Sequence, residues 1–331
     1  MTGITLDTKL RDIYALPQMR PYARYMLYTP GEDPENSWHA PYTVQGLEKI
    51  GWRPAGILAG LEFFLKAIDE GRVRQYFLYP GTEDPYKKDV NLIRISPAAP
   101  DRTRPCMLLC AGGGYGSVCS LVESLPTGRH MSEAGCEVFL LTYRVRIPEA
   151  AVKALDDLAA AVKWLTDHAD ELGTDPARLC VGGWSAGANL VSNWGYANIG
   201  WKRFGAVKPL CLFPVYTVID VKTEARWDEK GGFAGIMLGD AWRDRLDDYN
   251  VAEHIDADYP PCYIVCGKDD KTVPPVNSEL MKRLLDAAGV PSVLEEGDHA
   301  FHGFGDGTGT DVEGWPGRAL AFAESLAGDG K

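Results

Sequence analysis

The chain of 331 residues carries 46 acidic against 34 basic side chains, a formal net charge of −12. That imbalance excludes nucleic acid and an anionic membrane surface as partners, because both require clustered Lys and Arg. Hydrophobic residues make up 45% and charged residues 24%, the balance of an ordinary soluble globular protein. The length exceeds the size at which single cores usually split, yet suits one large α/β domain with appendages. The eight cysteines form no C-x-x-C pair and sit mostly in apolar runs such as Met107-Leu108-Leu109-Cys110. They read as small buried hydrophobes in a reducing compartment, and no zinc site is expected. Residues 1–20 are mixed and charged, without the apolar stretch of a signal peptide or membrane span. The expected location is the cytoplasm.

Residues 1–72 form an N-terminal extension rich in aromatics and prolines. Its clearest element is a helix over 53–70, with Pro54 near its start and Gly71 just past its end. Tyr22, Tyr25, Tyr28, Trp38 and Tyr42 read first as packing of that extension, and second as the lining of a pocket. From residue 73 the pattern changes to alternating strands and helices. Strands are predicted over 73–79, 91–96, 105–110, 137–143, 178–182, 207–216, 262–266 and 292–295. Helices are predicted over 148–172, 186–196, 276–288 and 315–327. Leu155, Leu158, Ala159, Val162 and Leu165 recur at the spacing of a core-facing helical stripe, and Gly173 supplies a cap. Such alternation predicts an α/β fold, a mostly parallel sheet with helices on both faces.

Gly183-Trp184-Ser185-Ala186-Gly187 is a G-x-S-x-G pentapeptide between an apolar run and a helix. A serine held up at a sharp strand-to-helix turn needs a strained backbone, and the residues two before and two after it pack against that turn. Glycine at both places removes the Cβ that would clash. A serine hydroxyl is a poor nucleophile without a base, and the base needs a group that fixes its tautomer. After the strand over 262–266 comes Gly267-Lys268-Asp269-Asp270, and after that over 292–295 comes Asp298-His299-Ala300-Phe301-His302-Gly303-Phe304-Gly305. The chain order is therefore Ser, Asp, His, all at the C-terminal edge of a parallel sheet, where catalytic groups gather. Ala111-Gly112-Gly113-Gly114-Tyr115 follows an earlier strand. Gly113 and Gly114 are placed to present N–H donors beside that of Ala186, an oxyanion hole. No G-x-G-x-x-G and no Walker lysine is present, so the glycine run is no nucleotide cradle. His39, His130, His168 and His254 lack such context and read as surface or structural residues.

In this order the four motifs resemble the α/β-hydrolase fold. Within it the chain is similar to the esterase/lipase group of acetyl esterases, acetylxylan and feruloyl esterases, and hormone-sensitive-lipase-like enzymes. The resemblance covers about residues 73–328, so the catalytic domain is expected over 73–331. It implies Ser185 as nucleophile, Asp270 as triad acid and His302 as base, with Gly113, Gly114 and Ala186 forming the oxyanion hole. Asp270 fits the family's G-x-x-D spacing better than Asp269, and His302, followed by Gly-Phe-Gly, fits better than His299. Tyr115 and Trp184, the large side chains inside the glycine motifs, are candidate substrate contacts. No metal or cofactor is implied. Where many relatives carry His before the glycines, this chain has Ala111, which points toward the acetyl- and feruloyl-esterase-like branch. The segment 217–260, with Trp227, Phe233, Ile236, Met237, Leu238 and Trp242 among many acids, is expected to cap the site, and a plain surface excursion is its other reading.

The resemblance implies hydrolysis of a small-molecule carboxylic ester, with short acyl groups such as acetate on small or carbohydrate-like alcohols. An amidase or peptidase of the formamidase or prolyl-oligopeptidase kind uses the same triad, although the chain is too short for a β-propeller. A ligand-binding relative without activity is a third reading, and such proteins commonly lose a triad member. A homo-oligomer is compatible with the sequence.

Overall fold

Strand burial decides the architecture. β1 (Val73–Phe77) and β2 (Asn91–Ile95) are followed by β3 (Cys106–Cys110), β4 (Val138–Thr142), β5 (Leu179–Trp184), β6 (Cys211–Val215) and β7 (Cys262–Gly267), and these five are buried at every residue. β8 (Ser292–Gly297) is half-exposed. Runs buried on both faces need a layer of helices on each side. The computed structural model describes residues 3–225 and 232–328 and arranges the strands in one eight-stranded sheet, order β1-β2-β4-β3-β5-β6-β7-β8. β1–β2 and β2–β4 pair antiparallel, and every other pairing is parallel. The half-exposed outer strands are the ones the sheet leaves at its edges.

The long helices are α1 (Pro54–Asp69), α2 (Ser124–Glu133), α3 (Ala150–Asp167), α4 (Ala186–Gly195), α5 (Val276–Ala287) and α6 (Trp315–Leu326). α2 lies within the crossover from β3 to β4 and has no counterpart among the predicted elements. Its sequence, with Pro126, Thr127 and Gly128, is poor in helix formers. Packing compensates, because a Cβ on Gly60 of α1 would lie 3.2 Å from the Pro126 backbone, so the two helices approach closely through small residues. The helix predicted over 148–172 ends at Asp167 and resumes as a short turn, Ala169–Leu172. Between them His168 leaves helical geometry at φ −108°, ψ 12°, and its Nδ1 lies 2.8 Å from the Trp164 carbonyl. Gly173 closes the second piece in the left-handed region, φ 69°.

The first seventy residues share the core of the sheet domain through Leu10, Ile13, Tyr14, Met19 and Met26. Tyr28 exchanges backbone hydrogen bonds with Val118, and the Leu121 amide donates to the Met26 carbonyl. The extension is thereby tied to the segment that follows the glycine loop. Tyr25 and Tyr28 are buried, and their hydroxyls share Asp89 with Arg24, whereas Trp38 is exposed. No helix among the described residues is long and apolar enough to cross a membrane.

Candidate active site

At the C-terminal end of β5 the chain turns into α4 through Ser185, whose φ is 52° and ψ −120°. This is a left-handed conformation costly for any residue with a Cβ. Neighbouring glycines make the turn possible. A Cβ on Gly183 would lie 2.3 Å from the Gly187 carbonyl oxygen, and one on Gly187 would lie 2.0 Å from that of Cys110. The Ser185 amide donates to Val215 at 3.0 Å, which fixes the elbow to β6. Ser185 is left half-buried at the sheet edge.

His302 reaches the serine from the loop after β8. Its Nε2 lies 3.1 Å from Ser185 Oγ and its Nδ1 2.7 Å from Asp270 Oδ2. Asp270 is buried and its Oδ1 accepts the amides of Thr272 and Val273 at 2.8 and 2.9 Å. The carboxylate therefore keeps its other oxygen for the imidazole. Such a chain holds the proton on Nδ1 and leaves the Nε2 lone pair free to take the serine proton. Asp269, the neighbour in sequence, does something else. Its Oδ1 accepts the amides of Ala300 and Phe301 at 3.2 and 2.7 Å. It braces a loop in which Phe301 sits at φ 39° under the Arg53 guanidinium, 3.7 Å from the ring centroid. His299 is exposed, and its backbone donates to Asp311. The structure thus brings Ser185, Asp270 and His302 together and leaves Asp269 and His299 out.

The glycine loop lies beside the elbow. A Cβ on Gly112 would stand 2.6 Å from the Trp184 carbonyl and 2.8 Å from Ser185 Cβ. Gly113 and Gly114 take φ values of 127° and 63°. Among the described residues no protein acceptor takes the amides of Gly113, Gly114 or Ala186. Gly112 instead donates to Oε2 of Glu123, a buried carboxylate just before α2. Oε1 of Glu123 accepts the Tyr216 hydroxyl at 2.9 Å, and the Tyr216 ring packs 4.6 Å from that of His302. Burial pushes the Glu123 carboxyl up to about 7, against the pull of the Gly112 amide, the Tyr216 hydroxyl and the His302 charge. The sequence reading missed Glu123 and Tyr216, since neither belongs to a motif. The one available signal was an acid within a largely apolar stretch, Ser120-Leu121-Val122-Glu123-Ser124-Leu125.

Tyr115 and Trp184 are placed differently from the expectation that they touch substrate. Both side chains are fully buried. The Tyr115 hydroxyl donates to Asn189 Oδ1 at 2.9 Å, and Trp184 Nε1 donates to the Gly305 carbonyl at 3.2 Å. They anchor the loop and the elbow from beneath, and burial removes them from contact with a bound molecule. His39, His168 and His254 lie in local contacts with Ser37, Trp164 and Asp247, and His130 meets Asp306 across the fold, all four away from Ser185. In the segment 217–260, short helices Val221–Ala225 and Gly232–Leu238 flank residues 226–231, so Trp227 lies outside the described residues. Phe233 stacks on Tyr115 at 5.7 Å, and Arg245 pairs with Glu149. Ala234, Met237 and Leu238 are buried, while Ile236 is exposed. The segment therefore sits against the glycine-loop side of the site.

A largely parallel eight-stranded sheet with a strained serine elbow at the end of its fifth strand defines an α/β hydrolase. Comparison with known proteins agrees. The family model BD-FAE matches residues 95–285, more than half the chain, and the protein belongs to that family. The match includes Ser185 and Asp270 and stops short of His302. The solved acetyl ester-xyloside bifunctional hydrolase from Caldicellulosiruptor lactoaceticus superposes with a TM-score of 0.64 at 24% identity, covering 77% of this chain and 97% of that one. The endo-1,4-beta-xylanase B of Butyrivibrio fibrisolvens is 23% identical over 241 residues, 68% of this chain and 36% of that protein. Esterase LipI of Mycobacterium tuberculosis is 26% identical over 246 residues, 63% of this chain and 68% of that protein. The chain spans about a third of the length of the first curated relatives it matches, 36% and 33%.

Proposed function

We propose that the protein is a serine hydrolase of carboxylic esters, acting through an acyl-enzyme. One observation carries this reading, the unbroken hydrogen-bonded line from Ser185 Oγ through His302 to Asp270. Ser185 Oγ attacks the ester carbonyl carbon as its proton passes to His302 Nε2. The carbonyl oxygen, now an anion, accepts N–H donors from Gly113, Gly114 and Ala186. Losing one such donor typically costs about 3 kcal/mol of transition-state stabilisation. His302 then gives its proton to the leaving alkoxide, and the C–O bond breaks. Water, deprotonated by the same imidazole, releases the acid and restores the serine.

Short acyl groups such as acetate are the preferred substrates in this reading, carried on small or carbohydrate-like alcohols. The acetyl ester-xyloside hydrolase among the solved relatives supports that choice. The segment 217–260 caps the glycine-loop side, supported by the stacking of Phe233 on Tyr115. The eight free cysteines, seven of them buried, fit a reducing compartment, and we assign the protein to the cytoplasm.

Hydrolysis of p-nitrophenyl esters of increasing acyl length, run beside an anilide panel, tests the reading. Turnover of acetate that Ser185→Ala abolishes is the expected result. Turnover of anilides without acetate would replace the esterase by an amidase.

A further inference from the structure

We propose that Glu123 is a positioning residue of this site, its ionised carboxylate clamping the glycine loop through Gly112 and backing His302 through Tyr216. The proposal rests on the serine-hydrolase reading and adds a fourth side chain to it. Both carboxylate oxygens are committed. Oε2 takes the Gly112 amide and Oε1 the Tyr216 hydroxyl. Each partner touches a different part of the chemistry. Gly112 leads into the donors at Gly113 and Gly114 and lies against Ser185, where a Cβ would approach Ser185 Cβ to 2.8 Å. Tyr216, at φ 40°, presents its ring to the His302 imidazole at 4.6 Å. The loop that carries His302 closes on the same spot, since a Cβ on Gly305 would lie 2.2 Å from the Val122 carbonyl. Glu123 therefore joins the glycine loop, the wall behind the histidine and the start of α2.

No cation pairs with this carboxylate among the described residues. The titratable groups that face it are Cys119, Tyr143, Tyr216 and His302, and of these only His302 becomes positive during the reaction. When the Ser185 proton moves to His302 Nε2, the new imidazolium lies between two buried carboxylates, Asp270 in contact and Glu123 behind Tyr216. Glu123 takes no proton from Ser185, because its oxygens face the Gly112 amide and the Tyr216 hydroxyl while His302 Nε2 is the group within reach of the serine hydroxyl. An unpaired buried carboxylate costs the fold stability, and its retention is explained by that transient charge and by the fixed loop.

The sign of the stability effect separates this role from a structural one. The unfolded carboxyl titrates near 4.5 and the folded one near 7. Between those values the folded chain binds the extra proton, so stability falls as pH rises through the window. Glu123→Gln should therefore melt higher than the wild type above pH 7, by a margin that shrinks toward pH 5. The same variant should react more slowly. We expect phosphonylation of Ser185 by a fluorophosphonate and hydrolysis of p-nitrophenyl acetate both to fall about ten- to hundredfold, the scale of a small misplacement in a site. The histidine base must itself be neutral, so reactivity falls on acidification in every variant; Glu123→Gln should keep that limb and lose only the step that Glu123 adds as pH falls through about 7. In Tyr216→Phe that step should move to higher pH, because the carboxylate loses a donor. Unchanged rates in Glu123→Gln would overturn the proposal. So would a loss of stability at high pH, failure to fold included, or an unshifted pH profile in Tyr216→Phe. Labelling that follows these expectations without ester turnover would remove the esterase reading and uphold the role of Glu123.

Discussion

Replacing Asp270 by Asn changes one atom and should abolish most of the activity, for a reason the local geometry dictates. Asp270 Oδ1 accepts the amides of Thr272 and Val273 at 2.8 and 2.9 Å, while Oδ2 faces His302 Nδ1 at 2.7 Å. An asparagine must choose which end to present to which partner. Turning its NH2 toward the two amides would leave buried donors unpaired, at about 1–3 kcal/mol each. The amide oxygen therefore stays with Thr272 and Val273, and the NH2 faces the imidazole. His302 Nδ1 must then accept, which puts the ring proton on Nε2 and aims it at Ser185 Oγ, 3.1 Å away. The lone pair needed to take the serine proton is gone. A wrong tautomer of this kind costs about 10⁴ in kcat, equivalent to about 5.4 kcal/mol. Steady-state hydrolysis of p-nitrophenyl acetate measures it, with the melting temperature as control for folding. An Asp270→Asn enzyme within about tenfold of wild type would refute the tautomer argument. Asp269→Asn is the matched control. Its amide oxygen can accept Ala300 and Phe301 as the carboxylate does, so turnover should stay within about tenfold.

Gly187→Ala forces a Cβ to within 2.0 Å of the Cys110 carbonyl and 2.6 Å of that of Ala111. Backbone on both sides cannot yield cheaply, so a urea titration should show a loss of about 3 kcal/mol or more, at the upper end of overpacking effects. A loss below about 1 kcal/mol would mean that the elbow is looser than its geometry. His302→Ala should lower kcat by several orders of magnitude, whereas His299→Ala, at an exposed position, should be silent, and the reverse pattern would move the base to His299. Asp157 and Arg144 form a buried ion pair at 2.9 Å, with side chains 0% and 6% exposed, and the Tyr79 hydroxyl also donates to Asp157 at 2.8 Å. Asp157→Ala leaves the buried guanidinium with the Lys153 carbonyl at 2.9 Å and the Asp156 carboxylate at 3.7 Å and should cost about 3 kcal/mol of stability. A denaturation midpoint equal to wild type would show that Arg144 escapes to solvent.

Much of the sheet was legible because its message is local. A run such as Val138-Phe139-Leu140-Leu141-Thr142 is apolar at both parities, which only a strand covered on both faces tolerates. The glycines around Ser185 announce a turn that no side chain could occupy, and the close approaches at Gly183 and Gly187 are the steric reason. Chain order placed the acid and the base on the same sheet edge. α2 was illegible because Pro126, Thr127 and Gly128 carry no helical signal of their own, and α1 and the sheet make it a helix.

The residues around the serine divide in the same way. Asp269 and Asp270 are chemically identical neighbours in one loop, and only the turn that carries them aims one at His302 and the other at the amides of Ala300 and Phe301. Tyr115 and Trp184 sit inside the motifs, yet the backbone turns both inward to Asn189 and Gly305. Glu123 meets Tyr216 from 93 residues away in the chain, and His302 meets Ser185 from 117. The sequence by itself determined the serine turn and the sheet edge on which the serine, the acids and the histidines gather, because backbone strain and strand burial are written into neighbouring residues. Which carboxylate serves the histidine, which is buried behind it and which aromatics are spent on packing were decided by the tertiary structure, where contacts between distant segments set direction and solvation.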